Sequence, residues 1–321
     1  MKELYIEYKG LLFTLAYQLT GSASDAEDAV QDVFLKVHDI DLQRLAEPKA
    51  YLCKMVTNRC LDVLKSARKR REQYFGPWLP EPIPTSGDEL FESVLRGELL
   101  SYAMLVLLER LSPVERTVFV LREALGFEYA DIAVVIGKSE ANCRKLISRA
   151  RGKLGIEDRQ DVCPEAIKEE WIGRFLAALQ KGDMDAVISM LAEDAVVISD
   201  GGGKALAAVN PIRSRELVAR FLLGLIRKLE PSKEADGATD AEKREGAKGT
   251  KDAGKLERAV ELGEALQLEL LEINGQTGLV SRSGGSNIID TAALIHIEGN
   301  SISSIYFIRN PEKLEYLQNY S

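Results

Sequence analysis

Residues 73–88 (QYFGPWLPEPIPTSGD) limit the fold of this chain more than any other feature. Four prolines and two glycines in this short run forbid a helix or a central strand, because each proline lacks an amide donor and fixes its own φ. The segment is therefore read as a linker between domains. A length of 321 residues fits two or three domains. Tyr74, Phe75 and Trp78 are too apolar for an inert spacer, so the linker is expected to dock against another part of the molecule.

Ahead of the linker, residues 1–72 read as all helical. Ser24 and Glu27 have the spacing of a capping box, with Ser24 as the N-cap. Ala26, Ala29, Val30, Val33, Phe34 and Val37 then form one apolar stripe at helical period. A further helix opens with Pro48 in its first turn and buries Leu52, Met55, Val56, Cys60, Val63, Leu64 and Ala67. Lys54, Asn58, Asp62, Lys65 and Lys69 repeat along another side of it, which could track a nucleic-acid strand.

Beyond the linker, helix is expected from about Glu89 to Arg110, followed by short helices over 113–124, 128–136 and 139–153. Ser112 and Glu115 make a second capping box with Pro113 at the first helical position. Gly137 is placed to end one helix and Ser139 to start the next. In that last helix Cys143, Leu146, Ile147, Ala150 and Leu154 face inward and the basic residues face out, the pattern of a helix-turn-helix.

From about residue 164 the texture changes. Helices over 166–180 and 183–191, a strand over 195–199 and a helix near 213–229 precede strands at about 265–273, 277–282, 288–297 and 302–308. Helices followed by a run of strands, expected to be antiparallel, indicate an α+β domain over 164–321. Residues 230–255 lack aromatics and large aliphatics and read as a disordered insertion.

Charge is unevenly distributed. Residues 1–155 hold 22 Lys and Arg against 22 Asp and Glu, so the net −8 lies wholly in 156–321, at 20 against 28. Two basic runs stand out in the neutral half, Arg59–Arg71 and Lys138–Lys153, each with a single acid. Taken singly, each is an ordinary solvated helix face; taken together they suit two surfaces on a nucleic-acid backbone. Cys53, Cys60, Cys143 and Cys163 have no CxxC spacing and only two histidines are present, which argues against a zinc site or a disulfide framework. No apolar run approaches the ~20 residues of a membrane span. The first ten residues carry no apolar signal core, so a cytoplasmic location is expected.

Three stretches carry a family resemblance. Asp25–Val37 resembles the core-polymerase-binding helix of bacterial sigma factors, Pro48–Asp62 their promoter-melting helix, and Leu111–Arg122 the start of their region four. Two helical domains joined by a proline-rich linker, with no middle domain, look like the extracytoplasmic-function type. Trp78-Leu79-Pro80-Glu81-Pro82, Asp200-Gly201-Gly202-Gly203-Lys204 and Asn310-Pro311-Glu312-Lys313-Leu314 look like signatures of the subgroup with a fused C-terminal SnoaL-like domain, although Glu312 stands where that subgroup usually has Asp. The resemblance implies an all-α region-two domain (1–72), the linker (73–88), an all-α region-four helix-turn-helix domain (89–155) and an α+β SnoaL-like cone-shaped barrel (164–321).

The same resemblance implies roles. Glu27, Asp28, Gln31, Asp32 and Lys36 would meet the clamp helices of the largest subunit of core RNA polymerase, and region four its beta flap. Asn58, Arg59 and Asp62 would contact an extruded base of the −10 promoter element, with Lys65, Arg68, Lys69 and Arg70 on phosphates beside it. Glu140, Asn142, Arg144 and Lys145, led by the N-cap Ser139, would read the −35 element in the major groove, with Ser148 and Arg149 on phosphates.

The C-terminal domain raises the question of catalysis. Asp200, Asp290 and His296 could serve as acid–base groups, but His296 lies in an apolar strand pattern and no paired carboxylate or nucleophile spacing accompanies it. Gly201–Gly203 match neither the P-loop nor the dinucleotide pattern. No cofactor, metal or membrane partner is expected, and the domain reads as a built-in regulator whose docking surface for the linker is formed by the 200–204 and 310–314 segments. A DNA-binding regulator fused to a SnoaL-like enzyme, or to a sensor of an unknown small molecule, remains the alternative.

Overall fold

A computed structural model describes residues 2–38, 47–71, 73–85, 101–155, 165–229, 267–282 and 288–318. Region two consists of α1 (Lys2–Thr20), α2 (Ala23–Val37) and α3 (Pro48–Arg71), packed on one another. The expected stripe of α2 is buried from Ala26 to Val37. Its start differs from the sequence reading: Ser22, not Ser24, is the N-cap and accepts a hydrogen bond from the Asp25 amide. α1 ends on Gly21 at φ +69°, and the Glu81 carboxylate of the linker takes the Ala23 amide at 2.7 Å, so α2 begins sooner than its own residues require.

Region four holds α4 (Tyr102–Leu108), α5 (Pro113–Phe119), which widens into a π-helical turn over Val120–Ala124, α6 (Tyr129–Ile136) and α7 (Glu140–Leu154). Both bonds of the Ser112–Glu115 capping box form, with Pro113 at its expected place. Gly137 adopts φ +65° at the end of α6, and the Ser139 hydroxyl caps α7. The two regions share one core. α3 packs against α5 and α6, and the buried Arg116 binds the Leu108 carbonyl, the Leu19 carbonyl at the end of α1, and the Glu109 carboxylate.

The third part contains α8 (Glu165–Gln180), α9 (Met184–Met190), β1 (Leu191–Asp200), β2 (Ile212–Arg213), α10 (Arg215–Leu229), β3 (Gln267–Ile273), β4 (Gln276–Arg282), β5 (Ile289–Glu298), β6 (Ser301–Ile308) and α11 (Pro311–Gln318). Its six-stranded sheet runs in the order β2-β1-β6-β5-β4-β3. The run β3–β6 is antiparallel throughout, as expected, and β2 pairs antiparallel with β1; β1 joins β6 in parallel, a pairing the sequence reading did not address. Two layers of side chains follow from the pleat. Val197, Ile295, Ile297, Ile302 and Ile305 face α8, α9 and α10, while Ile273, Val280, Leu294, Tyr306 and Ile308 join the core of the sigma helices. The sheet is thus buried on both faces, with the linker residues Leu79 and Ile83 inside the shared core.

Candidate linker latch and nucleic-acid interfaces

The parallel pairing of β1 with β6 decides where the glycine loop and the Asn310 segment lie. Asp200, the last residue of β1, is in register with Ile308, the last of β6, so both following loops leave the sheet side by side. The amides of Arg309 and Asn310 bind the Asp200 carbonyl at 2.7 and 3.0 Å. Asn310 accepts the Glu312 amide at 3.2 Å, and Pro311 opens α11. Asparagine followed by proline is a helix-start signal, and it could have revealed this helix in the sequence.

Asp200 is fully buried and all of its polar capacity is engaged. One carboxylate oxygen accepts from the Tyr74 hydroxyl at 2.6 Å and the Gly202 amide at 3.1 Å. The other accepts from the Leu79 amide at 2.8 Å and the Lys313 ammonium at 2.7 Å. Lys313 also donates to the Leu79 carbonyl and stands 4.0 Å over the Trp78 ring and 5.0 Å from the Tyr74 ring centre. A buried cation is tolerable here because a carboxylate, a carbonyl and two aromatic faces replace its water. Burial and the neighbouring Asp200 carboxylate push the Tyr74 hydroxyl well above its usual range, keeping it a donor.

The glycines serve close approach. A Cβ on Gly202, at φ +57°, would lie 2.4 Å from the Asn310 amide nitrogen and 2.8 Å from the Tyr74 hydroxyl. One on Gly21 would lie 2.7 Å from the Trp78 ring. Lys204 and Glu312 form an exposed ion pair across the two loops.

The remaining linker residues reach every part of the molecule. The Tyr17 hydroxyl of α1 binds the Glu81 carbonyl at 2.6 Å, and the Tyr102 hydroxyl of α4 binds the Pro80 carbonyl at 2.7 Å. Ile83 exchanges hydrogen bonds with Asn274, and Thr85 binds the Glu272 carbonyl, so Ile83–Thr85 lies antiparallel along the end of β3. Burial raises the Glu81 carboxyl above its ordinary value despite its bonds to Ser22 and Ala23. Trp78, Leu79, Pro80, Glu81 and Pro82 therefore lie with Asp200–Gly202 and Asn310–Leu314 in one assembly. Tyr74, expected to dock with the linker, completes it together with Asn274, Tyr17 and Tyr102, which were missed; as single polar residues in apolar patterns those three carry no sequence signal.

On α2, Asp28, Gln31 and Lys36 are exposed, and Glu27 and Asp32 are half-buried. Glu27 accepts from the Tyr316 hydroxyl of α11 at 3.2 Å, and Asp32 pairs with Arg59 of α3 at 2.7 Å. Leu35 lies 74% exposed among these polar groups, the one large apolar side chain there and absent from the sequence-derived set. On α3, Asn58, Asp62 and Lys65 are exposed and Arg59 half-buried; Lys65 pairs with Asp62 at 2.8 Å. The side chains of Arg68, Lys69 and Arg70 lie outside the described residues, as do those of the 230–255 insertion, Cys163 and residues 86–100.

On α7, Glu140, Asn142, Arg144, Lys145, Ser148 and Arg149 are all exposed, on the side away from Cys143, Ile147 and Ala150. Ser139 uses its hydroxyl on the Asn142 amide. Arg144 is held between Glu140 at 3.3 Å and the Tyr129 ring at 4.2 Å. Two other cations of this run are structural: Arg151 pairs with Glu123 and Lys153 with Glu115. Burial alone would raise the Glu115 carboxyl, but hydrogen bonds from Lys153 and Ser112 pull it down to about 2.

The three candidate acid–base groups do not converge. Asp200 is consumed in the linker assembly, Asp290 binds Ser281, and His296 stands 3.6 Å from Glu298. Among the described residues no cluster of three or more His, Cys, Asp or Glu could hold a metal, and no helix is long and apolar enough to cross a membrane.

Known proteins place this architecture. Residues 4–70 match the family model for sigma-70 region 2, and residues 101–154 that for sigma-70 region 4. The chain is 40% identical to the ECF RNA polymerase sigma factor SigJ of Mycobacterium tuberculosis over 223 residues, 68% of this chain and 71% of that protein. It is 33% identical to the probable ECF sigma factor SigI of the same species over 187 residues, 57% of this chain and 64% of that one. The crystal structure of the M. tuberculosis SigJ superposes with a TM-score of 0.71 at 29% identity, covering 98% of each chain.

Proposed function

The chain belongs to the extracytoplasmic-function RNA polymerase sigma factors, and from this premise we propose that its C-terminal domain governs sigma activity by gripping the linker between regions two and four. The protein is an alternative sigma factor that acts with core RNA polymerase at promoters. The domains divide at the linker, 73–88, and near residue 160.

The observation that carries the regulatory reading is the Asp200–Lys313 pair closed around Leu79 and Trp78. The linker cannot change course while those bonds hold, and its other contacts keep α1 and α4 together. Regions two and four share one core in this state, with α6 laid against α3. Reading two promoter elements requires α3 and α7 to act on separate stretches of DNA, so activity involves loosening this packing. Tyr316 on Glu27 supports the same reading, because α11 then borders the face assigned to polymerase.

The individual roles rest on family membership, with exposure supporting those of the described side chains. Asp28, Gln31, Asp32, Lys36 and Glu27, with Leu35 as apolar anchor, meet the polymerase clamp; a lone exposed apolar group within a polar rim is how protein contacts concentrate their energy. Asn58, Arg59 and Asp62 address the −10 base, and Lys65, Arg68, Lys69 and Arg70 its backbone. Asn142, Arg144, Lys145 and Glu140 read the −35 element, where arginine suits guanine and asparagine adenine. The C-terminal domain acts as regulator and not as catalyst, in the cytoplasm.

Run-off transcription with purified core polymerase on a promoter library tests this. The full chain is compared with a Trp78→Ala variant and with a chain ending near Gly155. Altered output from both, with the same promoters selected, supports the reading; wild-type output from both removes the regulatory role.

A further inference from the structure

The C-terminal half of the sequence is acidic, yet one stretch inverts the sign. Residues 201–229 carry six Lys and Arg against a single acid, Glu216, whereas the remainder of 156–321 carries 14 against 27. Helix α10 arranges much of this excess on one line. Its inner side, Val218, Ala219, Leu222 and Leu223, is buried against β1, α8 and α9. On the outer side Leu217, Arg220, Gly224 and Arg227 follow at intervals of three, four and three residues, which aligns them along the helix, and Arg213 at the end of β2 precedes its first turn.

All three arginines are exposed and, among the described residues, none makes a hydrogen bond or ion pair; Arg215 is paired, to Glu216 at 3.2 Å. Arg220 and Arg227 stand two turns apart, about 10 Å along the axis. Between them Gly224 presents no side chain, and an added Cβ there would meet nothing within 4 Å. A partner surface can therefore approach the backbone between two exposed arginines. The ridge lies on the sheet face opposite the sigma helices, so closure of the linker assembly leaves it uncovered.

We infer that this ridge is a phosphate-contacting surface for duplex DNA, adding affinity without reading sequence. Arginine binds phosphate through a planar fork and is more weakly hydrated than lysine, which favours such contacts. A single Leu217 in the line gives no broad apolar face to insert into lipid. Charge complementarity selects a polyanion, and the family's template is promoter DNA. The inference rests on family membership and is independent of the linker assembly.

The test measures binding of the full chain with core polymerase to a labelled promoter duplex over a series of KCl concentrations. Arg220→Ala/Arg227→Ala is expected to weaken binding at low salt and to flatten the plot of log K against log salt by about 1.8, at 0.9 per phosphate contact. The same loss is expected on a duplex without promoter sequence. Lys181→Ala, an exposed cation off the ridge, should leave the slope alone. Equal slopes in wild type and the double variant overturn the inference. So does an unchanged DNA slope accompanied by lost binding to phosphatidylglycerol vesicles, which assigns the ridge to a membrane. A wild type with no promoter preference whose slope still flattens in the double variant supports the ridge while removing the reading role of α7.

Discussion

The Lys313 ammonium lies 2.7 Å from the Asp200 carboxylate, and both side chains are almost wholly shielded from water. Removing one partner of such a pair leaves the other charged and desolvated, at a cost of about 3–5 kcal/mol. Lys313→Ala is therefore expected to lower stability by that order and to expose the linker to protease. Denaturant unfolding with limited proteolysis checks it. The Asp200→Asn/Lys313→Met double variant should cost less than the two single changes added together; additive losses would show that the pair is not coupled.

Gly202 and Gly137 separate two reasons for glycine. Both have positive φ, but only Gly202 would drive a Cβ into neighbours. Gly137→Ala should cost about 1–2 kcal/mol, the strain of a left-handed residue alone. Gly202→Ala should cost more and should also displace Tyr74 and Asn310. Equal melting shifts for the two would contradict the crowding seen at Gly202.

The capping carboxylate of Glu115 gives region four an acid sensitivity. Its pKa is depressed to about 2, so its contribution is complete above the ordinary carboxylate value near 4.5 and is lost as pH falls from there toward 2. Thermal unfolding followed across this window should show a steeper loss for wild type than for Glu115→Gln, which has no charge to titrate.

Arg144 and Arg149 should fail differently. Arg144→Ala is expected to cost about 1–3 kcal/mol on the preferred −35 sequence and to relax choice at one position. Arg149→Ala should weaken binding evenly across sequences. Competition binding on a library randomised over the −35 element distinguishes them, and matching profiles would remove the base-reading role of Arg144.

Arg116 ties region four to region two through the Leu19 carbonyl. Arg116→Met keeps the apolar stem and removes the guanidinium, so regions two and four should separate more readily. Small-angle scattering should report a larger radius of gyration for the variant, and an unchanged radius would assign Arg116 to region four alone.

Much of this was legible in the sequence, for reasons that particular residues make plain. Ser112, Pro113, Glu115, Gly137 and Ser139 act through bonds within a few residues, and each appears where expected. The stripes of α2 and α7 follow from period alone. The start of α2 was misplaced because its first amide is capped by Glu81, 58 residues away. The parallel pairing of β1 and β6 was not foreseen, since strand direction is a property of topology and leaves no mark on alternation. That the 200–204 and 310–314 segments receive the linker was expected, but the Asp200–Lys313 pair was not, and its chemistry, a caged ammonium, depends on Trp78 and Tyr74 arriving from a third segment.

The sequence distance between Leu79 and Lys313, 234 residues, bears on how the molecule is made. At about 5–20 residues per second, a ribosome needs on the order of 10–50 s to reach Lys313 after Leu79. Throughout that interval the nascent sigma helices can fold with the linker held only by their own contacts through Tyr17, Ala23 and Tyr102 and, later, by Asp200. Every newly synthesised copy thus passes through a less restrained youth before its last restraint is translated.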